Sequence, residues 1–590
     1  MKRLVAAALV FAVLGASAFF FFKMRRFLPE RARAAELAPA ETIVFVQVPN
    51  LRQTALRFPQ TDLCQIWREP DVQAFLEKPR RKAPWMREWE ERFDEIVRVT
   101  PGEAFVAFTA LDGRRVEFAG GFSFAGRRSQ ARSLVAQLRE KLHPDGRSAE
   151  ARDAGGAQFE TFAFAGGQWV SCFRANWFLV ASSAEALRAL VERFEGKADS
   201  SLATDAVFRR TVAPLGATQD FVVYAKPESL SGQLNSVAAL GMPKPTEPMA
   251  MATKIDGGKL HDTIFLPGIG ARESAALSRR TLALAPPQAL AYSVANNALT
   301  APDAEPGWLK SILPNAASIE KTLAEKNLTW SDLPAAIGPE TAGVVEWPED
   351  TALPSVLLAA EIRDGAKARD FADAITSPAG AGSAWESEDH AGVTVFSTPP
   401  GAFAFARPAL AVTDRFALLG LSREAVAGAL PRLNAGSASL AENVAFQDIV
   451  RFVRPDATAF AYLDFRRLFE RVYTMARPFV TLSLAFSGEA GSEFDSGKLP
   501  PVVAISKHLS AIAVVQSARN DGILIESLGT LTFPELLLGG AAAAASAAPD
   551  FPNTIPGKLK LPAFPSQKAS PPPKSPAVSG AAGIRRTPDH

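Results

Sequence analysis

VEFAGGFSFAGRRSQARSLVAQLRE, residues 116–140, changes its period halfway along. In its first part Val116, Phe118, Phe122 and Phe124 share one parity, while Glu117, Ala119, Gly121 and Ser123 share the other. Period two predicts a strand with large rings on one sheet face and small residues on the opposite face. After Arg127 and Arg128 the period lengthens. Ser129 is placed to cap a helix over 131–142, with Leu134, Val135, Leu138 and Leu142 along one side. A strand, a short turn and an amphipathic helix is the unit from which the rest of the chain is read.

The unit recurs. PSVLLAAEIRDGAKARDFADAI at 354–375 repeats the same succession, and five further pairs of segments keep its order. LAPAETIVFVQVPN (37–50) is answered by LAPPQALAYSVANN (284–297), and GEAFVAF (102–108) by PETAGVVEW (339–347). SSAEALRALVERF (182–194) is answered by LSREAVAGALPRL (421–433), and the stretch 200–230 by 438–468. MATKIDGGKLHDTIFLPG (251–268) is answered by VQSARNDGILIESLGTLTF (515–533). A separation of about 240 residues is far longer than any solenoid period, so each copy is a whole domain. The chain divides into an N-terminal segment 1–35, a first repeat 36–270, a second repeat 271–540 and a tail 541–590.

Local patterns fill in each copy. Ile43 to Val48 is a β-branched and aromatic run bounded by Pro39 and Pro49, so it reads as a strand. Phe159 to Phe164 reads as another, and VSCFRANWFLVAS as one or two more, with Gly-Gly at 166–167 marking a hairpin. Ser182 followed by Glu185 has the spacing of a capping box, and Leu187, Leu190, Val191 and Phe194 form the buried stripe of the helix behind it. The predicted class is α+β: two tandem copies of a mainly antiparallel sheet with helices packed on one face. Residues 68–98, outside the repeat, read as helices interrupted at Pro79 and Pro84.

Lys2 and Arg3 precede LVAAALVFAVLGASAFFFF, 19 apolar or small residues at 4–22. As a helix they reach about 28 Å, enough for a hydrocarbon core of roughly 30 Å, so they read as an uncleaved single-pass anchor. Lys23, Arg25 and Arg26 on the far side leave its orientation open. The tail is rich in Pro, Ser and Lys and reads as disordered.

Chemistry is harder to find. The 590 residues carry a net charge of +2, which excludes a strongly basic nucleic-acid binder. Cys64 and Cys172 are too few for a disulfide framework and read as separate buried thiols, with pairing left open. His143, His261, His390, His508 and His590 are scattered and show no zinc spacing. Glu386, Glu388, Asp389 and His390 cluster in WESEDH, which reads as a solvated loop. Gly268-Ile269-Gly270 lacks the rest of a dinucleotide fingerprint and reads as a turn. Gly121-Phe122-Ser123-Phe124-Ala125 only loosely echoes a nucleophile elbow, and its alternation already explains it as strand. No catalytic, cofactor-binding or metal-binding residue is assigned, and no cofactor is expected.

The N-terminal anchor, the PAETIVFVQVPNL opening and QTDLCQIWREPDVQAFLE resemble uncharacterised exported bacterial proteins of a domain-of-unknown-function class (DUF3352-like). The resemblance covers most of residues 1–540. It implies a membrane-tethered protein of the bacterial inner membrane with its bulk periplasmic or extracytoplasmic, and it supplies no catalytic residues. Three functions follow as expectations. The first is a non-enzymatic envelope protein binding a protein or an envelope polymer. The second is a carrier or sensor of lipids or other apolar molecules, using the Phe-rich sheet faces. The third is a hydrolase with an unrecognised site.

Overall fold

A computed structural model of the chain describes residues 33–534 apart from 83–96, 113–114, 143–145, 155–156, 165–166, 228–245, 269–274, 297–315, 378–384, 400–406, 434–436, 487–493 and 533. The expected anchor at 4–22 and the tail therefore lie outside the described residues. Among the described residues no helix is long and apolar enough to cross a membrane.

Among the described residues ten strands come from the first half: β1 (Val44–Val48), β2 (Ala104–Asp112), β3 (Arg115–Ser123), β4 (Arg147–Ala154), β5 (Ala157–Phe164), β6 (Gly167–Arg174), β7 (Trp177–Ala181), β8 (Phe221–Ala225), β9 (Met249–Asp256) and β10 (Lys259–Pro267). Ten of those described come from the second: β11 (Ala291–Asn296), β12 (Ile337–Glu346), β13 (Ser355–Ile362), β14 (Glu386–His390), β15 (Val393–Ser397), β16 (Ala409–Val412), β17 (Phe416–Gly420), β18 (Ala457–Leu463), β19 (Ile512–Arg519) and β20 (Gly522–Gly529). All pair antiparallel in one sheet. Followed across, the order is β4-β5-β6-β7-β3-β2-β1-β8-β9-β10 and then β20-β19-β18-β11-β12-β13-β17-β16-β15-β14. The second run is the first in mirror order, each strand numbered ten higher. The halves meet at β10–β20, where Thr263 lies opposite Glu526. Whether the halves are separate lobes or one sheet was open from sequence; they share one sheet.

Helices cover both faces, which corrects the expectation of one. On one face of the first half, Leu187 and Leu190 of α2 (Ala184–Phe194) and Phe208 of α3 (Ala206–Val212) pack with Phe45, Ala107, Ala119 and Tyr224. On the other, Ala131 and Leu134 of α1 (Arg128–Leu142) pack with Phe122, Phe124 and Phe173. The small-residue face of β3 is thus a helix seat too: Ala119 is 2 % exposed, because small side chains let α2 approach closely.

Local expectations hold with shifts of a residue. Ser183, not Ser182, is the N-cap of α2 and accepts from the Ala186 N–H at 3.1 Å. Ser182 instead accepts from the Phe118 N–H at 3.2 Å. α1 begins at Arg128, so Ser129 lies inside its first turn. Pro79 does not interrupt a helix. It sits in the first turn of Glu77–Lys82, where its missing N–H costs nothing, and the breaks fall at Glu69 and Leu76 instead. Pro84 lies outside the described residues. The 62–82 segment reaches across to the second half: Glu69 meets His508 at 2.6 Å and Lys507 at 2.9 Å, Glu77 meets Lys498 at 2.9 Å, and Phe75 stacks on Phe494 at 5.2 Å.

Candidate functional site

The motifs singled out in the sequence do not converge. Cys64 and Cys172 are buried free thiols, each pushed up to about 11 by burial. His261 stands 3.6 Å from Glu526, His390 3.4 Å from Glu388, and His508 against Glu69. His143 and His590 lie outside the described residues. WESEDH is not a loop, as expected, but the edge strand β14. Glu386 pairs with Arg407 at 3.0 Å, Glu388 pairs with Arg423, and Asp389 accepts from the Gly392 N–H at 3.0 Å. Charged side chains on an outermost strand discourage edge-to-edge association, which accounts for the cluster without chemistry. Gly268 has the positive φ (72°) of a turn, and Gly121 to Ser123 lie in β3 as strand. Among the described residues no group of three His, Cys, Asp or Glu side chains is placed to hold a metal.

The site that does form is apolar, and it lies in the second half. Helix α4 (Gly365–Thr376) is capped by Asp364, which accepts from the Ala366 and Lys367 N–H groups at 3.0 and 3.1 Å. Lys326 reaches Asp370 at 2.8 Å and so ties α4 to the helix Ala316–Glu325 beside it. Ala368, Phe371, Ala372 and Ile375 of α4 face the sheet. Between them and the strands lies a cavity of about 640 Å³.

Cross-strand register explains the space. Partners in an antiparallel sheet share a face. One row reads Ala295–Thr341–Ala360–Ala417–Val412 across β11, β12, β13, β17 and β16. The next reads Ser293–Gly343–Leu358–Leu419–Leu410. The row at the same place in the first half reads Val48–Ala104–Phe122–Phe178–Phe173. There the Phe122 and Phe173 rings each lie 5.1 Å from Phe178, and Phe124 lies 5.8 Å from Phe173, so benzyl groups occupy the volume beneath α1. The Phe-rich face expected to form a groove is therefore packed. The groove is in the other half, where alanines and a valine replace the rings.

Most of the lining is Ala, Leu, Ile and Val. The polar exceptions among the described lining residues are Ser293, Thr341 and Gln516, and none of the lining side chains titrates. Ser293 is exposed, so the cavity reaches solvent at that end. Such a site can hold an apolar molecule and offer neutral hydrogen bonds to one polar end. Among the described lining residues no side chain is a carboxyl, imidazole, amine or thiol.

Comparison with known proteins adds little to this. No curated protein matches the chain. Solved structures described as crystal forms III and IV of TP0453 align at 13% and 14% identity, with TM-scores of 0.24 and 0.23, over 41% and 40% of this chain and 82% and 80% of theirs. The family anticipated from the N-terminal motifs is matched in the other half of the chain: residues 324–487, which include α4 and strands β12 to β18 around the cavity, match the model of a protein family of unknown function (DUF3352).

Proposed function

We propose that the protein binds a long apolar molecule, with an acyl-chain lipid as the class that fits, in the cavity between α4 and the second half of the sheet. The observation that carries this is the row Ala295–Thr341–Ala360–Ala417–Val412 standing where the first half has Val48–Ala104–Phe122–Phe178–Phe173. The volume lies in the range of small-molecule sites, roughly 300–1,000 Å³. Each methylene moved from water into such a lining contributes about 0.8 kcal/mol, so a chain of about ten carbons binds without any charged contact. Binding without chemistry agrees with a lining free of titratable groups. This places lipid carriage or sensing ahead of the polymer-binding surface and the hydrolase. The matching strand order supports reading residues 36–270 and 271–540 as two copies of one unit, of which one has opened a site. Attachment to a membrane through residues 4–22, with the body on its extracytoplasmic side, remains part of the proposal.

The test is lipid extraction and mass spectrometry on gently purified full-length protein, with uptake of a fluorescent fatty acid alongside. Near-stoichiometric lipid is expected from the parent. The double substitution Ala360→Phe/Ala417→Phe, which rebuilds the first half's row, should keep the far-UV spectrum and lower fatty-acid affinity by at least about tenfold, about 1.4 kcal/mol. A parent that yields no lipid and takes up no fatty acid overturns the reading.

A further inference from the structure

The 22-residue helix α5 (Phe465–Phe486) leaves an apolar row open to solvent besides the half-buried Leu468 and Phe469. Its packed side carries polar contacts. The Tyr473 hydroxyl donates to the Pro500 carbonyl at 2.5 Å, and Arg477 reaches the Leu499 carbonyl at 3.4 Å. Its open side carries Val472, Met475, Phe479 and Leu482, at spacings of three and four, which are 46, 44, 72 and 57 % exposed. A helix facing water normally shows its polar stripe there.

We propose that this stripe lies on the surface of an anionic phospholipid bilayer, with the axis of α5 parallel to the membrane plane. The geometry is that of an interfacial helix: one apolar row about 15 Å long, which can sink to the acyl boundary without spanning. The charge fits. Arg467 and Arg471 of α5 lie eight and four positions before Met475 and so continue the stripe, while Arg477 is on the packed side and Arg466 is paired with Glu470 at 3.2 Å. Exposed Lys78 and Arg81 stand on the neighbouring helix, joined to this region by the Glu77–Lys498 pair. Each basic group near an anionic surface adds about 1 kcal/mol. A second copy of the chain is the weaker occupant, because the stripe offers roughly 400 Å² where a stable protein interface takes about 800 Å² from each partner. Chain length also permits it. The stretch from Phe22 to Arg33 spans at most about 40 Å, so a body tethered through residues 4–22 stays within reach of the bilayer.

The experiment uses full-length protein in vesicles, with an environment-sensitive fluorophore on Phe479→Cys or Leu482→Cys. The buried native thiols, held near 11, stay unlabelled. Leu353→Cys, at a position 61 % exposed, is the reference. In phosphatidylethanolamine–phosphatidylglycerol vesicles the 479 and 482 probes should shift to the blue, brighten about threefold and be quenched by brominated lipid, while the 353 probe stays in water. In pure phosphatidylcholine the shift should weaken. Probes at 479 and 482 as open to aqueous iodide as the one at 353 overturn the proposal. So does shielding that persists in phosphatidylcholine and grows with protein concentration, which is the signature of a second copy. Filling the cavity with Ala360→Phe/Ala417→Phe should leave these signals unchanged, so the two proposals fail separately.

Discussion

On one face of the two half-sheets the ring contacts, caps and loop hydrogen bonds recur although side-chain sizes change, as from Phe105 to Ala342 and from Ala119 to Leu357; on the other the rings themselves are lost. On the shared face, Phe208 meets Tyr224 edge-on at 5.1 Å and 76°, and Phe446 meets Tyr462 at 5.2 Å and 74°. The Leu202 N–H donates to Ala38 at 2.9 Å, and the Leu440 N–H donates to Ala285 at 2.8 Å. Ser183 and Ser422 cap matching helices through the Ala186 and Ala425 N–H groups. On the opposite face, beneath α1 and α4, three phenylalanines in one half correspond to two alanines and a valine in the other. Close packing tolerates change in one wall only if something else takes the volume. The shared face therefore reads as the part that makes the unit fold, and the divergent face as the part free to acquire a ligand.

Removing a ring from the packed row gives the largest effect. Phe178 is 7 % exposed and sits between Phe122 and Phe173. Phe178→Ala should cost about 3–5 kcal/mol in urea unfolding, the range for a buried aromatic. Ala417→Phe, at the matching place in the second half, should cost far less, since its ring enters existing space. A loss under about 1 kcal/mol for Phe178→Ala would show that the row is not what fills the first half, and the contrast would collapse.

A smaller difference lies at the head of β2 and β12. Glu103 and Glu340 occupy matching places, each buried, each holding the turn that leads into the LAP segment. Glu103 accepts from the Arg33 N–H at 2.6 Å and from the Gln47 amide. Glu340 accepts from the Ser278 hydroxyl at 2.8 Å, the Arg279 N–H at 2.7 Å, and both the N–H and the hydroxyl of Thr281 at 3.4 and 2.9 Å. More donors lose their partner in the second half, so Glu340→Ala should destabilise by about 2–3 kcal/mol and Glu103→Ala by less. Burial raises the Glu103 carboxyl above its usual range, against the donors that lower it. Its charged form is therefore disfavoured, and the penalty that Glu103→Ala relieves grows as pH rises from the unfolded value to the folded one and is constant above it. Measured across pH, the loss in Glu103→Ala should shrink as pH rises above the ordinary carboxyl value, near 4.3, and a loss that stays constant over that rise would sink this account.

These contrasts were unevenly legible in the sequence. Strands such as β1 and β3, the caps and the order of both halves rest on contacts within a few residues, so periodicity reveals them. The seam at β10–β20 does not, because each strand already has a hairpin partner and nothing local selects its second neighbour. Pro79 misled because its effect depends on where the helix begins. WESEDH looked like a loop because an outermost strand can carry charge on both faces. The cavity was hidden for a further reason: Ala360 and Ala417 are unremarkable alone, 57 positions apart, and only register brings them into one row. The signal was nonetheless present. Laid over the first copy, Ala360 falls on Phe122 and Ala417 on Phe178, and that loss of volume needed only the comparison of matched positions in place of matched patterns.

The smallest expected effect tests whether the halves are also held together outside the sheet. Glu69, in the segment without a counterpart, is held below the usual carboxylate range by hydrogen bonds from His508 and Lys507 across the seam. A depressed folded value means this contact stabilises above the unfolded carboxyl value, near 4.3, and is lost as pH falls through the folded one. Hydrogen exchange in the helices Asp62–Arg68 and Pro70–Phe75 should therefore quicken below about pH 4 before exchange in β10 or β20 does. Glu69→Gln should quicken it at neutral pH and flatten its acid dependence. If these helices exchange in step with the seam strands at every pH, the 62–82 segment is part of the same cooperative unit as the sheet, and Glu69 is not a separate tie between the halves.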